Sequence, residues 1–200
     1  MSELSELGTQ ILNCTRCALS KGRTRAVPGE GPENADIMFI GEAPGFHEDR
    51  SGRPFVGASG KFLEQLLASI GLKREDVYIA NVIKCRPPGN RDPQPHEIEM
   101  CKSFLDRQIE LIKPKIIVTL GRFSMARYFP GAKISRIHGQ PRKIEGVLYF
   151  PMYHPAAALH QPSLRQTVEQ DMKKIPDLLA EIDQLEEVQL SQDVEQLALF

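Results

Sequence analysis

Four cysteines are the residues of this chain whose type and spacing point most directly to chemistry. They are the only cysteines among its 200 residues and occur as Cys14-x2-Cys17, then Cys85, then Cys101. A Cys-x-x-Cys pair can bind one metal centre from a single tight turn, while the two distant cysteines require separate elements of a folded core. The spacing therefore predicts one shared metal centre that joins the N-terminus to the middle of the chain. Four thiolates suit zinc and iron–sulfur clusters alike, so the metal stays open at this point.

Other uses of these cysteines are less favoured by the sequence. The chain opens with MSELSEL, which has neither the basic nor the apolar segment of a secretory signal, and four cysteines are too few for a disulfide-dense protein. A thioredoxin-like redox pair would follow a strand, whereas Cys14 follows a helical pattern of leucine and isoleucine. Unrelated buried thiols remain the alternative to shared metal binding.

Length and composition indicate a single domain. With 200 residues, 41% of them hydrophobic, the chain can bury one sizeable core. Its apolar runs are shorter than the roughly 20 residues of a membrane helix, so we expect a cytoplasmic protein. Residues 183–200 contain five acidic residues and no Lys or Arg, which leaves the rest of the chain with 25 basic and 21 acidic residues. This mild positive excess suits a polyanionic partner.

Hydrophobic periodicity predicts alternating strands and helices. Runs of consecutive apolar residues predict buried strands, and apolar residues at helical spacing predict helices. The alternation indicates an α/β fold with a central, mainly parallel four-stranded sheet flanked by helices on both faces. The predicted strands are 36–41, 77–83, 115–120 and 147–153, and the predicted helices are one N-terminal to Cys14, 61–70, 98–112, a short one after Gly121 and a long one over 164–179.

Polar and glycine-rich segments follow each predicted strand. They are Gly41-Glu-Ala-Pro-Gly45, Asn81, Gly121 and His154-Pro155. Ligands of open α/β sheets bind outside the carboxyl ends of the strands, so we expect one pocket that gathers these segments. Taken alone, Asn81 could equally be a structural cap, and a single histidine is more often a hydrogen-bonded core residue.

The segment Ser59-Gly60-Lys61 has part of a phosphate-binding loop. The first glycine of that loop is absent, because position 55 is Phe. We therefore reject nucleotide hydrolysis.

Taken together, these segments resemble the family 4 uracil-DNA glycosylases, the iron–sulfur type. The resemblance runs from about residue 8 to residue 181 in one continuous order. It is carried by Cys14-x2-Cys17, GEAPG at 41–45, GRPFVG at 52–57 with Ser59-Gly60, Asn81 with Lys84-Cys85-Arg86, Cys101, and HPAAA at 154–158.

The resemblance implies a base-excision-repair enzyme on a three-layer α/β sandwich. Such an enzyme flips uracil out of DNA and hydrolyses the N-glycosidic bond, which releases free uracil and leaves an abasic site. It further implies a [4Fe–4S] cluster, with zinc as the alternative, held by Cys14, Cys17, Cys85 and Cys101.

The same resemblance assigns roles in the pocket. Phe55 would stack on the uracil ring, Asn81 would read its N3–H and O4 edge, and His154 would donate to O2 as negative charge develops there. Gly41, Glu42 and Ala43 would line the base, and Glu42 would activate water. Better-known uracil glycosylases have an aspartate at the position of Ala43 and a bulky aromatic residue at the position of Gly45, which leaves the water-activating group and the exclusion of thymine open.

DNA contacts are expected at the rim of the pocket. Residues 155–165 are predicted to form a loop that wedges into the duplex. The predicted DNA-binding residues are Ser59, Gly60, Arg86, Ala157, Leu159 and Arg165, with Arg91 extending the basic strip.

The last eighteen residues differ in composition from residues 1–182, the predicted catalytic domain. They are acidic and rich in Gln, which predicts a flexible tail over 183–200. The chain ends in QLALF, which resembles the pentapeptide by which bacterial repair proteins bind the DNA polymerase sliding clamp. We expect Gln196, Leu197, Leu199 and Phe200 to bind such a clamp, and we expect a monomer in the bacterial cytoplasm, associated with the nucleoid. A non-catalytic nucleic-acid-binding module and an electron-transfer protein are the other classes considered.

Overall fold

The computed structural model describes residues 2–182, and its centre is a five-stranded sheet of order β2-β1-β3-β5-β4. Strands β2, β1, β3 and β5 are parallel to one another, whereas β4 pairs antiparallel with β5 at one edge. The α/β class and the parallel sheet predicted above are confirmed, but the strand number was one too low. The strands are β1 (Ile37–Gly41), β2 (Tyr78–Asn81), β3 (Ile116–Leu120), β4 (Arg142–Ile144) and β5 (Val147–Met152).

The fifth strand was missed because its sequence lacks the signal of a buried strand. Strand β4 is three residues long, and only Ile144 in it is buried. A short, half-exposed edge strand with basic residues is a common way to terminate a sheet.

Helices cover both faces of the sheet and complete three layers. Alternate residues of each strand point to opposite faces, so Phe39 packs in one core and Met38 in the other. Helices α4, α9 and α10 pack on the first face, and α1 and α5 pack on the second. The helices are α1 (Glu3–Leu12), α2 (Leu19–Gly22), α3 (Phe46–Ser51), α4 (Ala58–Ser69), α5 (Pro95–Ile112), α6 (Arg122–Ala126), α7 (Ile134–Ile137), α8 (Pro155–His160), α9 (Ser163–Met172) and α10 (Ile175–Ala180), with 3₁₀ turns at Arg74–Asp76 and Pro88–Asn90.

Two helical predictions need correction. The long final helix is divided into α9 and α10 at Lys173 and Lys174, because Pro176 cannot donate the hydrogen bond that a continuous helix requires. Residues 155–165 are not a loop: Pro155 starts α8, which is a position that suits proline since the first helical N–H has no intrahelical partner.

Candidate active site

One pocket lies at the carboxyl ends of the parallel strands. It encloses about 590 Å³ including its open mouth. Three of the four predicted segments, those after β1, β2 and β5, meet there. Gly121 after β3 does not line the pocket but packs behind His154. Its lining consists of Glu42, Ala43, Pro44, Gly45, Glu48, Phe55, Ser59, Asn81, Pro87, Asn90, Arg91 and His154.

The pocket brings together six of the residues predicted for uracil or DNA binding. These are Glu42, Ala43, Phe55, Ser59, Asn81 and His154. Gly41 lies immediately beneath the pocket: a Cβ atom there would clash with the Asn81 side chain and would lie 2.6 Å from the ring of Phe55. Only glycine therefore allows these two side chains to approach the end of β1.

His154 has a defined tautomer in the neutral state. The backbone N–H of Ala156, in the first turn of α8, donates to its Nδ1 at 3.1 Å. Nδ1 must then be the unprotonated nitrogen, which leaves Nε2–H as the donor of the ring. Desolvation by the surrounding protein lowers the pKa of His154 to about 4, and the carboxylate of Glu48 acts in the opposite direction. At neutral pH, His154 is therefore an uncharged hydrogen-bond donor.

Phe55 lies beside this histidine in an unusual backbone conformation. The two rings stack with their centroids 5.5 Å apart and their planes inclined by 24°. The φ angle of Phe55 is 51°, in the left-handed region that bulky residues rarely adopt. The left-handed conformation of Phe55 is possible because residue 60, in the first helical turn of α4, is glycine. A Cβ atom at Gly60 would collide with the carbonyl group of Phe55.

Glu48 holds the same turn from inside the pocket. Its carboxylate accepts backbone N–H groups of Gly45 at 3.1 Å, Val56 at 2.9 Å and Gly57 at 3.0 Å. The residue is only 8% exposed, so these three hydrogen bonds compensate for removing its charge from water. Glu48 thereby ties α3 to the segment that carries Phe55.

Asn81 is held at the end of β2 by a buried lysine. Asn81 is 2% exposed, and its backbone carbonyl oxygen accepts a hydrogen bond of 2.9 Å from Nζ of Lys84. Lys84 also donates to Oε1 of Gln108 at 2.6 Å, and desolvation lowers the pKa of Lys84 to about 7. Gln108 in turn donates to Pro28 and Tyr78. The backbone around Asn81 is therefore anchored to α5 and to the segment before β1.

Glu42 is the carboxylate at the mouth of the pocket. Desolvation raises the pKa of Glu42, Asp92 adds to the increase, and Arg122 opposes it. A carboxylate with a raised pKa is a stronger base than one in water, which suits proton abstraction.

The four cysteines line a second cavity, of about 270 Å³. Cys14 and Cys17 follow α1, Cys85 follows β2, and Cys101 lies on α5, so separate elements deliver them as predicted. All four are free thiols. The remaining lining residues are Ile11, Arg16, Ser20, Arg23, Lys84, Met100 and Phe104.

The buried pair of cysteines has basic neighbours. The guanidinium of Arg23 donates to Sγ of Cys85 at 3.0 Å. Burial raises the pKa of the Cys101 thiol, and the backbone and charge of Lys84 act in the opposite direction. Burial raises the pKa of Cys85 to about 11, and Arg23 acts in the opposite direction. Segment 81–85 thus joins the two cavities, with Asn81 in one and Cys85 in the other.

The predicted DNA-binding residues occupy different surroundings. Leu159 on α8 is 43% exposed, and Ala157, two residues earlier, is half-buried. Arg86 donates to Oδ1 of Asn90 at 2.6 Å at the pocket mouth. Arg165 is not brought to this pocket. It pairs with Glu169 at 2.9 Å and lies over the ring of Phe62, in a groove between α4 and α9.

Two features of the site were not assigned by sequence reasoning. Glu48 received no role in the sequence analysis, although its spacing three residues after Gly45 could have indicated a bond to the start of α3. Arg91 was assigned to a basic strip, whereas its guanidinium binds the buried carboxylate of Glu97 at 2.6 Å and fastens the pocket wall to α5.

The parallel α/β sheet, with a pocket at the carboxyl ends of its strands, defines a class of proteins. Comparison with known proteins identifies this class. Residues 28–180, which include the sheet and every residue that lines the pocket, match the family described as "Uracil DNA glycosylase superfamily". Cys14 and Cys17 precede the matched region.

Similarity to individual proteins extends over nearly the whole chain. The type-4 uracil-DNA glycosylase of Sulfurisphaera tokodaii is 50% identical over 188 residues, covering 89% of this chain and 86% of the relative. The type-4 uracil-DNA glycosylase of Archaeoglobus fulgidus is 50% identical over 187 residues, covering 89% of this chain and 94% of the relative. The type-4 uracil-DNA glycosylase of Saccharolobus solfataricus is 47% identical over 190 residues, covering 90% of this chain and 88% of the relative.

The chain belongs to the uracil-DNA glycosylase superfamily and, within it, to the type-4 uracil-DNA glycosylases. The family, the α/β class and the glycosylase activity predicted in the sequence analysis are confirmed. Across residues 2–182, no helix combines the length and the apolar character that crossing a membrane demands.

Proposed function

We propose that this protein excises uracil from DNA as the first step of base-excision repair, with Phe55, Asn81 and His154 binding the flipped base. The observation that carries this proposal is the convergence of these three side chains in one pocket, with His154 held as a neutral Nε2–H donor by Ala156. A pocket of this kind offers an aromatic face, an amide and one neutral donor, which matches the ring, the edge and the O2 atom of uracil.

The chemical step is hydrolysis of the bond between N1 of uracil and C1′ of the sugar. As that bond breaks, its electron pair stays on N1 and is delocalised onto O2, where Nε2–H of His154 donates. A water oxygen forms the new bond to C1′, and Glu42 accepts the proton that the water loses. The donor of His154 is worth most in the transition state, because the charge on O2 is greatest there.

Asn81 provides a reason for selecting uracil over cytosine. Its amide oxygen can accept from N3–H of uracil while its NH2 group donates to O4. Cytosine has an acceptor at N3 and a donor at N4, so it would leave buried polar groups of a 2% exposed side chain unmatched.

The test is release of free uracil from an oligonucleotide that contains one uracil. We expect uracil in solution and a strand that alkali cleaves at the abasic position, with single- and double-stranded substrates assayed in parallel. An oligonucleotide with cytosine in place of uracil is the matched control and should be inert. Binding of the uracil strand with no release of uracil would overturn the proposal in favour of a non-catalytic module.

We further propose that Cys14, Cys17, Cys85 and Cys101 hold a [4Fe–4S] cluster. The fit is supported by the donor set itself: four thiols line one cavity together with apolar and basic side chains, and Arg23 places a positive group beside Cys85. When bound, the cluster would supply a rigid link between the N-terminal arm, segment 81–85 and α5.

The cluster is proposed over zinc because the sequence resembles the iron–sulfur type of uracil-DNA glycosylase, since four thiolates by themselves suit either metal. Within residues 2–182, no three His, Cys, Asp or Glu side chains form a group that could hold a metal ion, so the side-chain placement does not distinguish zinc from a cluster. The two differ in size: a tetrahedral zinc ion requires sulfur atoms about 3.8 Å apart, as follows from zinc–sulfur bonds of about 2.3 Å, and the thiolates of a four-iron cluster lie further apart.

The proposed sliding-clamp segment lies outside the described residues. Gln196, Leu197, Leu199 and Phe200 are proposed to bind a bacterial clamp through a few apolar anchors, while residues 1–182 carry the catalysis. A monomer in the bacterial cytoplasm, recruited to DNA by the clamp, is the corresponding proposal for its location.

A further inference from the structure

An aromatic side chain stands exposed beside the pocket. Phe46 is the first residue of α3 and follows Gly45, which lines the pocket. Phe46 is 46% exposed. Among the exposed large hydrophobic residues within residues 2–182, it is the aromatic one. A single exposed apolar residue is common in soluble proteins, so its neighbours must show whether it has a role.

Two arginines flank the ring of Phe46. The guanidinium carbon of Arg86 lies 5.2 Å from the ring centroid, and that of Arg50 lies 5.5 Å from it. Arg86 also donates to Asn90, which lines the pocket, so this group lies on the pocket rim. The ring of His47 meets that of Phe46 edge-on, with centroids 5.4 Å apart.

The charges around Phe46 favour a negatively charged partner. The acidic residues of α3 point inward: Glu48 binds backbone amides, and Asp49, which is 4% exposed, accepts the N–H of Thr24 at 2.9 Å. Other arginines of this face are already paired, Arg91 with Glu97 and Arg122 with Asp92. Arg50 and Arg86 lie instead over an aromatic ring, where their charges remain available to phosphate.

We infer that Phe46, together with Arg50 and Arg86, is a stacking platform for the base next to the flipped uracil in single-stranded DNA. An exposed aromatic face binds any base, and arginines beside it can bind the phosphates on either side of that base. In a single strand the neighbouring base can turn onto the ring without breaking a base pair, whereas in a duplex its pairing and its remaining stacked neighbour hold it in the helix. The platform therefore favours single-stranded substrate. This inference rests on the proposed function of the adjacent pocket.

The inference is tested by removing the neighbouring base and the platform separately. The substrates are single-stranded uracil oligonucleotides in which the nucleotide 5′ or 3′ to uracil is replaced by a tetrahydrofuran abasic analogue. For the wild-type protein, one of these replacements should raise KM at least about fivefold, the lower end of what one stacked base is worth. In Phe46→Leu, which keeps an apolar side chain but has no π-face, the same replacement should change KM less than twofold.

A fluorescent reporter gives a second, direct measurement. The chain contains no tryptophan, so Phe46→Trp introduces a single one at the platform. Stacking of a base on that indole quenches its emission. We expect strong quenching by the intact single strand and weak quenching by the strand with the abasic neighbour.

The outcomes separate this inference from the function of the pocket. Suppose that the wild type releases uracil but the abasic neighbour changes KM by the same factor in the wild type and in Phe46→Leu. This result would overturn the platform, while the glycosylase function would stand. Absence of uracil release from every substrate would overturn the proposed function itself. Thermal melting of both Phe46 variants near the wild-type temperature is the folding control.

Discussion

Nη1 of Arg74 donates to the backbone carbonyl oxygen of Phe55 at 2.9 Å. The other terminal nitrogen of the same guanidinium donates to the carbonyl oxygen of Pro54, and its Nε pairs with Glu30 at 3.1 Å. Arg74 thus holds the carbonyl groups of the left-handed turn from outside the pocket, while Glu48 holds the following amides from inside. The position of the Phe55 ring depends on a residue that does not line the pocket.

Replacing Arg74 by Ala should lower kcat/KM for uracil release about 10- to 100-fold, since a displacement near 1 Å at a reacting site has an effect of that size. The measurement that identifies the cause is a double-mutant cycle with Phe55→Ala. If Arg74 acts through Phe55, removing Arg74 will cost little more in the Phe55→Ala background. Arg53→Ala is the matched control, because Arg53 also pairs with Glu30 at 2.7 Å yet is exposed at the surface. Additive losses in the cycle would show that Arg74 acts elsewhere.

The three polar groups of the pocket should differ in how much activity their removal costs. His154→Ala and Asn81→Ala each remove a group that is proposed to bind the base, and we expect losses of about 10²- to 10³-fold in kcat. Glu42→Gln should cost about tenfold, which is less than a general base usually contributes, because bond breaking that precedes water attack needs little help from a base.

The pH profile provides the control for Glu42. Its raised pKa means that the wild-type rate should fall as the pH drops through a value above the usual glutamate range, since the base must be deprotonated. That acidic limb should be missing in Glu42→Gln. Equal and near-complete losses in all three variants would contradict the minor role of the base.

His154 should remain uncharged across the range where ordinary histidines titrate. With its pKa lowered to about 4, the ring should show no titration between pH 7 and pH 5 in NMR spectra of ¹³C-labelled histidine, with His154→Gln used to assign its signal. A normal titration near pH 6.5 would contradict the neutral-donor geometry.

The lowered pKa of His154 also predicts how the stability of the protein varies with pH. The unfolded chain binds this proton below about pH 6.5 and the folded chain only below about 4. The contribution of His154 to the free energy of unfolding therefore decreases as the pH falls through this window, by up to about 3 kcal/mol.

The cysteine cavity predicts a coloured protein. The purified protein should be brown, with broad visible absorbance and about four iron and four sulfide ions per chain. Cys85→Ser should lose the colour and also lower the glycosylase rate, because Cys85 and Asn81 lie on one short segment. A colourless protein prepared without oxygen that contains one zinc ion would show that zinc is the resident metal.

Deletion of residues 196–200 should abolish binding to a bacterial sliding clamp and leave uracil release unchanged. Surface plasmon resonance with immobilised clamp measures the first, and the oligonucleotide assay measures the second. The double variant Leu199→Ala and Phe200→Ala should behave like the deletion, and Gln192→Ala is the matched control in the same segment. Unchanged clamp binding after the deletion would contradict this role.

Local sequence patterns determined most of the fold and half of the residues that line the pocket. Runs such as Ile37-Met-Phe-Ile40 are buried on both faces, so they predict parallel strands without knowledge of their partners. Because ligand sites in such sheets follow the strand ends, Glu42, Asn81 and His154 could be placed in one pocket from their positions in the chain. The cysteine spacing likewise predicted that separate elements deliver four thiols to one metal centre, and the structure places all four around one cavity.

Only the tertiary structure decided how these residues are held. Arg74 and the carbonyl of Phe55 are 19 positions apart, and Lys84 and Gln108 are 24 apart, so no local pattern relates them. The tautomer of His154 depends on α8, which the sequence analysis took for a loop, and the left-handed turn at Phe55 depends on Gly60 beneath it. Chain periodicity reports which faces are buried, whereas hydrogen bonds between distant segments set the orientation of each functional group. The chemistry of this protein is therefore readable from its sequence, and its geometry is not.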